Sequence, residues 1–173
     1  MKRREVERHV QESIQELLDD KLSVNHTFCY TPFYADDRHR MKLELHALEK
    51  DVAEGRRPQS ILVLRVEFLH DLKEIQIPNI FMPGCMKRER LGKRTIKAIH
   101  DVGASFGYEL FITDLTQSFF DRLLKRGAVQ MSESCVQITA ATDLTSDVGS
   151  PKLVYDESKE ISSVSIFDFL TEK

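Results

Sequence analysis

The chain contains only three cysteines, Cys29, Cys85 and Cys135, and no two of them form a C-x-x-C pair. That scatter excludes a zinc ribbon, and the odd count argues against a disulfide scaffold. A reducing, cytoplasmic setting is expected. Long apolar runs are missing as well: stretches such as 61–64 are far too short to span a bilayer. The opening Met1-Lys2-Arg3-Arg4 continues as Glu5-Val6-Glu7-Arg8, where a signal peptide would need an apolar run. Charge of one sign is also absent. The 25 basic and 28 acidic residues leave a net charge of -3, which gives no whole-molecule attraction to nucleic acid or to an anionic membrane. No Walker loop and no intact G-x-G-x-x-G occurs, and none of the six histidines shows H-x-x-x-H or H-E-x-x-H spacing. No metal is expected, and there is no repeat or low-complexity tract.

What is present suits one domain with a real core: 173 residues, 41% hydrophobic and 31% charged. Val6, Val10, Ile14, Leu17 and Leu18 recur at helical spacing and predict a helix over 3–22. That helix packs on the domain or pairs with a second subunit, so a homodimer stays open. Residues 23–37 read as an irregular, aromatic-rich segment with room for a short strand limited by Pro32. Tyr30, Phe33 and Tyr34 in it are core or acceptor-pocket residues. Residues 38–54 fit both periods, and the lack of β-branched residues favours a helix, on which His39 and His46 would share a solvated face. Residues 60–69 and 72–82 read as two β-runs joined by a tight antiparallel connection at His70-Asp71. The strongest helix spans 91–106, with Leu91, Thr95, Ala98, Ile99, Val102 and Phe106 on one face, Gly107 as its stop and His100 as a structural residue. A strand over 108–113, a helix over 118–126, an interrupted strand over 129–141, a loop over 145–150 and a closing strand over 160–170 complete the reading.

The chemistry concentrates in Met82-Pro83-Gly84-Cys85-Met86-Lys87-Arg88-Glu89-Arg90-Leu91-Gly92-Lys93-Arg94, between a strand and the strongest helix. A helix start exposes backbone N–H groups with the positive end of the helix dipole behind them, which suits a phosphate. Helix starts normally favour acids. Here Lys87, Arg88, Arg90, Lys93, Arg94 and Lys97 face a single acid, Glu89, which makes sense if an anion docks there. Cys85 lies nearby, but no sequence-adjacent histidine marks it as a nucleophile.

At this point the chain resembles the GNAT superfamily of acetyl-CoA-dependent N-acetyltransferases. Their Gln/Arg-x-x-Gly-x-Gly/Ala motif is matched by Lys87-Arg88-Glu89-Arg90-Leu91-Gly92, with Lys87 in the first position and Arg90 in place of the middle glycine. The similarity continues through Lys93-Arg94-Thr95-Ile96-Lys97-Ala98-Ile99 and Gly107-Tyr108-Glu109-Leu110-Phe111-Ile112. It ends in Phe119-Phe120-Asp121-Arg122-Leu123-Leu124-Lys125-Arg126-Gly127-Ala128, where the family often has a Phe-Tyr pair whose tyrosine is the general acid. Roughly residues 60–140 are covered.

The resemblance implies an α/β (α+β) fold with a mixed, mostly antiparallel sheet flanked by helices. It implies one domain over 1–173: a helical acceptor-side part over 1–57, a cofactor-binding core over 58–141 and a closing strand region over 142–173. It implies an acyltransferase that carries acetyl from acetyl-CoA to an amine on a small molecule, peptide or protein. Lys87, Arg88, Glu89, Arg90, Leu91, Gly92 and Lys93 would cradle the pyrophosphate. A backbone N–H near Ile80, Phe81 and Met82 would polarise the thioester, and the pantetheine arm would pair with that strand edge. Glu74 is the candidate base and Glu67 the second. The alternatives are a non-catalytic acyl-CoA-binding protein, motivated by Phe120, and a nucleic-acid or regulatory protein using the basic stretch 87–97. No aromatic residues interleave that stretch, which disfavours nucleic acid.

Overall fold

A computed structural model describes residues 2–19, 21, 26–35, 39–50, 55–81 and 90–146. The element order is α1 (Lys2–Leu18), β1 (His26–Tyr34), β2 (Arg40–Glu49), β3 (Ser60–Leu69), β4 (Glu74–Ile80), α2 (Leu91–Ser105), β5 (Glu109–Ile112), α3 (Gln117–Leu124), β6 (Val129–Gln130) and β7 (Val136–Ile138). The strands form one sheet in the order β1-β2-β3-β4-β5-β7-β6. Every pairing is antiparallel except β4 with β5, which is parallel. A parallel pair needs a crossover connection, and α2 lies in it. The fold is therefore mixed α/β, as expected. No helix among the described residues is long and apolar enough to cross a membrane.

The core follows from period-two alternation on one face of this sheet. Met41, Phe68, Ile75, Leu110 and Ile138 lie side by side across five strands, each paired with the next. Leu43 and Val66 make a second row, and Ile77, Ile112 and Val136 a third. All are buried. Val6, Val10, Ile14 and Leu18 of α1 are wholly buried in the same cluster, each contributing about 2 kcal/mol by leaving water. Leu91, Ile96 and Ile99 of α2 join it, as do Phe120 and Leu123 of α3. At Gly103 α2 lies so close to β4 that an added Cβ would fall 2.8 Å from Ile75 Cδ1. The helical periodicity of α1 thus faces the core of its own chain.

The opposite positions of β2, β3 and β4 carry Lys42, Glu44, His46, Arg65, Glu67, Glu74 and Gln76. Glu44 ties this face together. Its carboxylate accepts from Lys42 at 3.1 Å, from Arg65 at 2.9 Å and from His46 at 3.1 Å.

Several local expectations change. The segment read as a helix over 38–54 is a strand over Arg40–Glu49, so His39 and His46 do not share a helix face. Met41, Leu43, Leu45 and Ala47 alternate into the core, and β1 and β3 pair with both sides of β2. Such pairing outweighs the weak preference of Leu, Met and Ala for helix. Residues 23–37 hold a nine-residue edge strand, not a short one. Ala35 N donates to Arg40 O. The alternation of bonded pairs that follows turns Pro32 outward, where its missing N–H costs the ladder nothing. Thus His26–Tyr34 and Arg40–Glu49, within the part read as helical, are strands. Residues 129–141 form two short strands in a hairpin, not one interrupted strand. Tyr30 packs against the core, whereas Phe33 and Tyr34 are exposed. The closing strand expected over 160–170 lies outside the described residues.

Candidate active site

The first turn of α2 follows the strand end of β4 in the chain. Arg90 caps the helix with φ +56°, a left-handed backbone that favours glycine, and its side chain makes no cap bond. An L-residue there costs about 1–2 kcal/mol, so Arg90 keeps a glycine-type backbone while adding a cation. Arg90 O accepts from Lys93 N at 3.1 Å and Arg94 N at 3.2 Å. The N–H groups of Leu91 and Gly92 have no acceptor among the described residues. The Leu91 side chain is buried and fixes the turn to the core.

Positive charge gathers at this turn from two elements. Lys93 Nζ donates to Ser146 O at 2.8 Å. Arg126, buried just after α3, donates through one guanidinium nitrogen to Asp143 O and to Ser146 O, both at 3.0 Å. Burial lowers the Lys93 pKa, and the neighbouring charges of Arg126 and Arg90 lower it further against the opposing pull of Asp143. Arg126 was not singled out in the sequence. Its place directly before Gly127, which takes φ +83°, gives no sign in the sequence of its burial.

The edge of β4 opens beside β5. Their pairing runs from Glu74↔Glu109 to Ile77↔Ile112, with Thr113 N donating to Ile77 O at 3.1 Å. Asp114 then takes φ +53°, and Leu115 N turns to Ser134 O. Residues 78–80 of β4 are left without a β5 partner. On the other side β4 pairs with β3, with a register shift that sets Ile77 and Pro78 against Val66. Phe81 N donates to Val63 O at 2.7 Å. Strand alternation therefore points the Ile80 N–H away from β3, to the open side. Pro78 has no N–H, and Asn79, paired with Arg65, faces β3. Ile80 is thus the one residue of 78–80 that can present a donor to the opening. Phe81 is exposed with its N–H already bonded.

Glu74 is half-buried on the polar face and accepts from Gln76 Nε2 at 3.1 Å. It stands at the opposite end of β4 from Ile80, roughly 20 Å along the strand. Glu67 pairs across strands with Gln76, nearer the middle. Burial raises the Cys135 thiol pKa, as do the carboxylates of Asp114 and Glu74. Phe120 is buried in the core, and Phe119 lies under Arg122, 5.5 Å from guanidinium to ring centre. His100 bonds to its neighbour Asp101.

The structure therefore brings Arg90, Leu91, Gly92 and Lys93 together and adds Arg126. It sets Ile80 at the open strand edge and leaves Glu74 distant. Met82, Cys85, Lys87, Arg88 and Glu89 lie outside the described residues. A separate cavity of about 310 Å³, lined by Arg4, Glu7, Arg8, Gln11, Tyr34 and Met41 among others, shares none of these residues. No protein-family model, curated protein or solved structure matches the chain.

Proposed function

We propose that this protein is an N-acetyltransferase that moves an acetyl group from acetyl-CoA to an amine. The observation that supports it most is the first turn of α2. The N–H groups of Leu91 and Gly92, which have no acceptor among the described residues, stand there, and Lys93 in the same turn lies near the charges of Arg126 and Arg90. Backbone donors, helix dipole and cations together suit a pyrophosphate. The glycine-type backbone at Arg90 fits the middle position of the motif that Arg90 occupies. The open edge of β4 suits the pantetheine arm, which would add to it as an extra strand. In this reading the Ile80 N–H donates to the thioester oxygen as the tetrahedral intermediate forms. The amine nitrogen bonds to the acyl carbon and loses a proton to water, with Glu67 the nearer acid; Glu74, roughly 20 Å along β4 from Ile80, is beyond the reach of one bridging water. The C–S bond breaks, and coenzyme A leaves as a thiolate. A thiol of pKa about 8.5 needs no strong acid, so Phe120 does not prevent turnover.

The burial of Phe120 favours the second reading, a non-catalytic acyl-CoA-binding protein, because no hydroxyl replaces the family's tyrosine. Nucleic-acid binding at 87–97 is weakened by Lys97, which pairs with Asp101 at 2.7 Å, and by Lys93, which turns to Ser146.

The deciding experiment is thermal unfolding with acetyl-CoA, followed by release of free coenzyme A across a panel of amines. A ligand at 100 times its dissociation constant stabilises by about 2.7 kcal/mol, which for a domain of this size raises Tm by roughly 5–10 °C. The shift should vanish in Arg90→Glu/Lys93→Glu. A shift without thiol release on any amine would favour the non-catalytic reading. No shift at millimolar acetyl-CoA would remove both.

A further inference from the structure

β1 lies at one edge of the sheet, with β2 on one side and no described strand on the other. It keeps a single register with β2 from His26↔Glu49 to Tyr34↔Met41. It contains no lysine, arginine, aspartate or glutamate. Edge strands are usually blunted by charges, bulges or shortness. The opposite edge follows that rule, since β6 is only two residues long. β1 does so only through Pro32. Ala35 N donates to Arg40 O, so every second residue back along β1 bonds to β2 and the residues between turn outward. The N–H groups of Phe28, Tyr30 and Tyr34, with their carbonyls and that of Pro32, therefore line the open edge. Phe28 and Tyr30 pack on the core, so the side chains of this set face α1.

The cavity of about 310 Å³ runs along this edge, between Arg4, Glu7, Gln11 and Gln15 of α1 and Pro32 and Tyr34 of β1. The helix residues recur every three or four positions and so form one stripe. Helix and strand run antiparallel beside it, because the Tyr34 hydroxyl reaches Glu7 and the Tyr30 hydroxyl reaches Asp19. Glu7 is buried, and its two oxygens are taken by His70 and Tyr34. Arg8 is taken by Glu12. Arg4 makes no hydrogen bond or ion pair among the described residues, and neither do the Gln11 and Gln15 side chains. Arg4 stands close to Tyr34: its charge opposes the rise in the Tyr34 pKa that burial and Glu7 produce. An open strand edge recognises an extended backbone, and an unpaired cation beside it recognises an acidic side chain. Residues directly opposite in an antiparallel pair share a face, so the partner of Tyr34 would place its side chain in the cavity. We propose that the outer edge of β1, with the groove between it and α1, binds an extended peptide that adds antiparallel to β1 and sets an acidic side chain, opposite Tyr34, on Arg4. The β1 strand of a second copy fits less well, because it has no acid to offer Arg4. β2 and β3 separate this edge from the opening at β4, so the peptide site does not depend on the acetyltransferase reading.

The test pans a display library of random seven-residue peptides on the full chain, then measures the enriched peptides, made synthetically, by titration calorimetry and hydrogen exchange. Enriched sequences should carry an aspartate or glutamate among residues that favour strands. Arg4→Glu should weaken their binding by about tenfold or more. Arg4 is in the first turn of α1, where an acid suits the helix dipole, so the variant should keep its fold. Gln11→Glu puts an acid in the same groove at a second exposed helix position and should weaken binding several-fold. Bound peptide should slow exchange at the Phe28, Tyr30 and Tyr34 amides and leave those of Cys29, Thr31 and Phe33, already bonded to β2, unchanged. Without peptide, the first three should exchange fast at every protein concentration. A library that enriches no acidic sequence, or binding that Arg4→Glu leaves intact, overturns the site. So does slow exchange of those three amides in the peptide-free monomer, which would mean that the chain covers its own edge. Slow exchange only at high concentration, with a dimer in sedimentation, would give the edge to a second copy and overturn it equally.

Discussion

His70 Nε2 lies 2.8 Å from Glu7 Oε1, although the two residues are 63 apart in sequence, and both side chains are nearly free of solvent contact. The other ring nitrogen, Nδ1, is 2.9 Å from the Tyr108 hydroxyl, and the Tyr34 hydroxyl donates to Glu7 Oε2 at 3.3 Å. Burial pushes the Tyr108 phenol up, with Arg3 opposing and Glu7 adding, so Tyr108 keeps its proton. The network joins α1, the end of β3 and the approach to β5, and the His70 ring stacks on Phe68. Cutting it leaves a polar group stranded in the interior. Glu7→Ala should cost about 3 kcal/mol, as for other buried pairs that lose one partner. Tyr108→Phe should cost about 1 kcal/mol. Urea unfolding measures both, and a Glu7→Ala midpoint equal to the wild type would mean that α1 is held by its apolar stripe alone.

Glu44 predicts an acid-sensitive contribution to stability. Burial acts to raise its pKa, but hydrogen bonds from His46, Lys42 and Arg65 outweigh that and hold it at about 2. The unfolded value is about 4.3. A folded-state value below the unfolded one gives stability that is complete above about pH 4.3 and is lost as pH falls toward 2. Glu44→Gln should therefore flatten the stability curve between pH 5 and 2.5 and show its largest loss at neutral pH. Parallel curves for wild type and variant in that window would dismiss the effect.

The two acids on the polar face differ in what they should do to turnover. Glu74 stands roughly 20 Å along β4 from Ile80, beyond one bridging water, so Glu74→Gln should leave kcat within threefold of wild type and acetyl-CoA binding unchanged. Glu67, paired with Gln76 nearer the middle of the strand, is the better placed acid, and if it takes the amine proton Glu67→Gln should lower kcat by about 10²-fold. The pH profile separates a base from a structural acid: the acidic limb set by the base should vanish in Glu67→Gln and stay in Glu74→Gln. Loss of that limb in Glu74→Gln would return the role to Glu74.

Local periodicity made α1, β3, β4 and α2 legible, because Val6, Val10, Ile14 and Leu18, or the dense β-branched run 61–66, state their geometry in a single turn or strand. β2 was not legible. Its Met41, Leu43, Leu45 and Ala47 have no intrinsic strand preference, and its form comes from β1 and β3 on either side. At the site, the cationic helix start and the strand before it could be read directly. Arg126 could not, because it reaches Ser146 and Asp143 through a fold-back no short window contains. Glu7 and His70 were equally silent, since each looks like a polar residue on an ordinary amphipathic element.

Gly103 offers a test of how closely α2 lies on the sheet. Its position is inside a helix, where alanine is favoured over glycine by about 1 kcal/mol. The new methyl would sit 2.8 Å from Ile75 Cδ1, inside contact distance, and Ile75 is fully buried. Overpacking of this kind costs about 1–3 kcal/mol. Gly103→Ala alone should therefore be destabilising by about 1 kcal/mol in spite of its better propensity. Ile75→Val removes the clashing atom and alone should cost about 1 kcal/mol through the gap it leaves. Combined, the two changes fill the gap with the methyl that lacked room. The double variant should then be more stable than the sum of the singles by about 1 kcal/mol or more, a coupling that contact between the sites allows. Strict additivity in urea unfolding would mean that α2 shifts away from Ile75 at little cost and that the close approach is not what fixes the helix to β4.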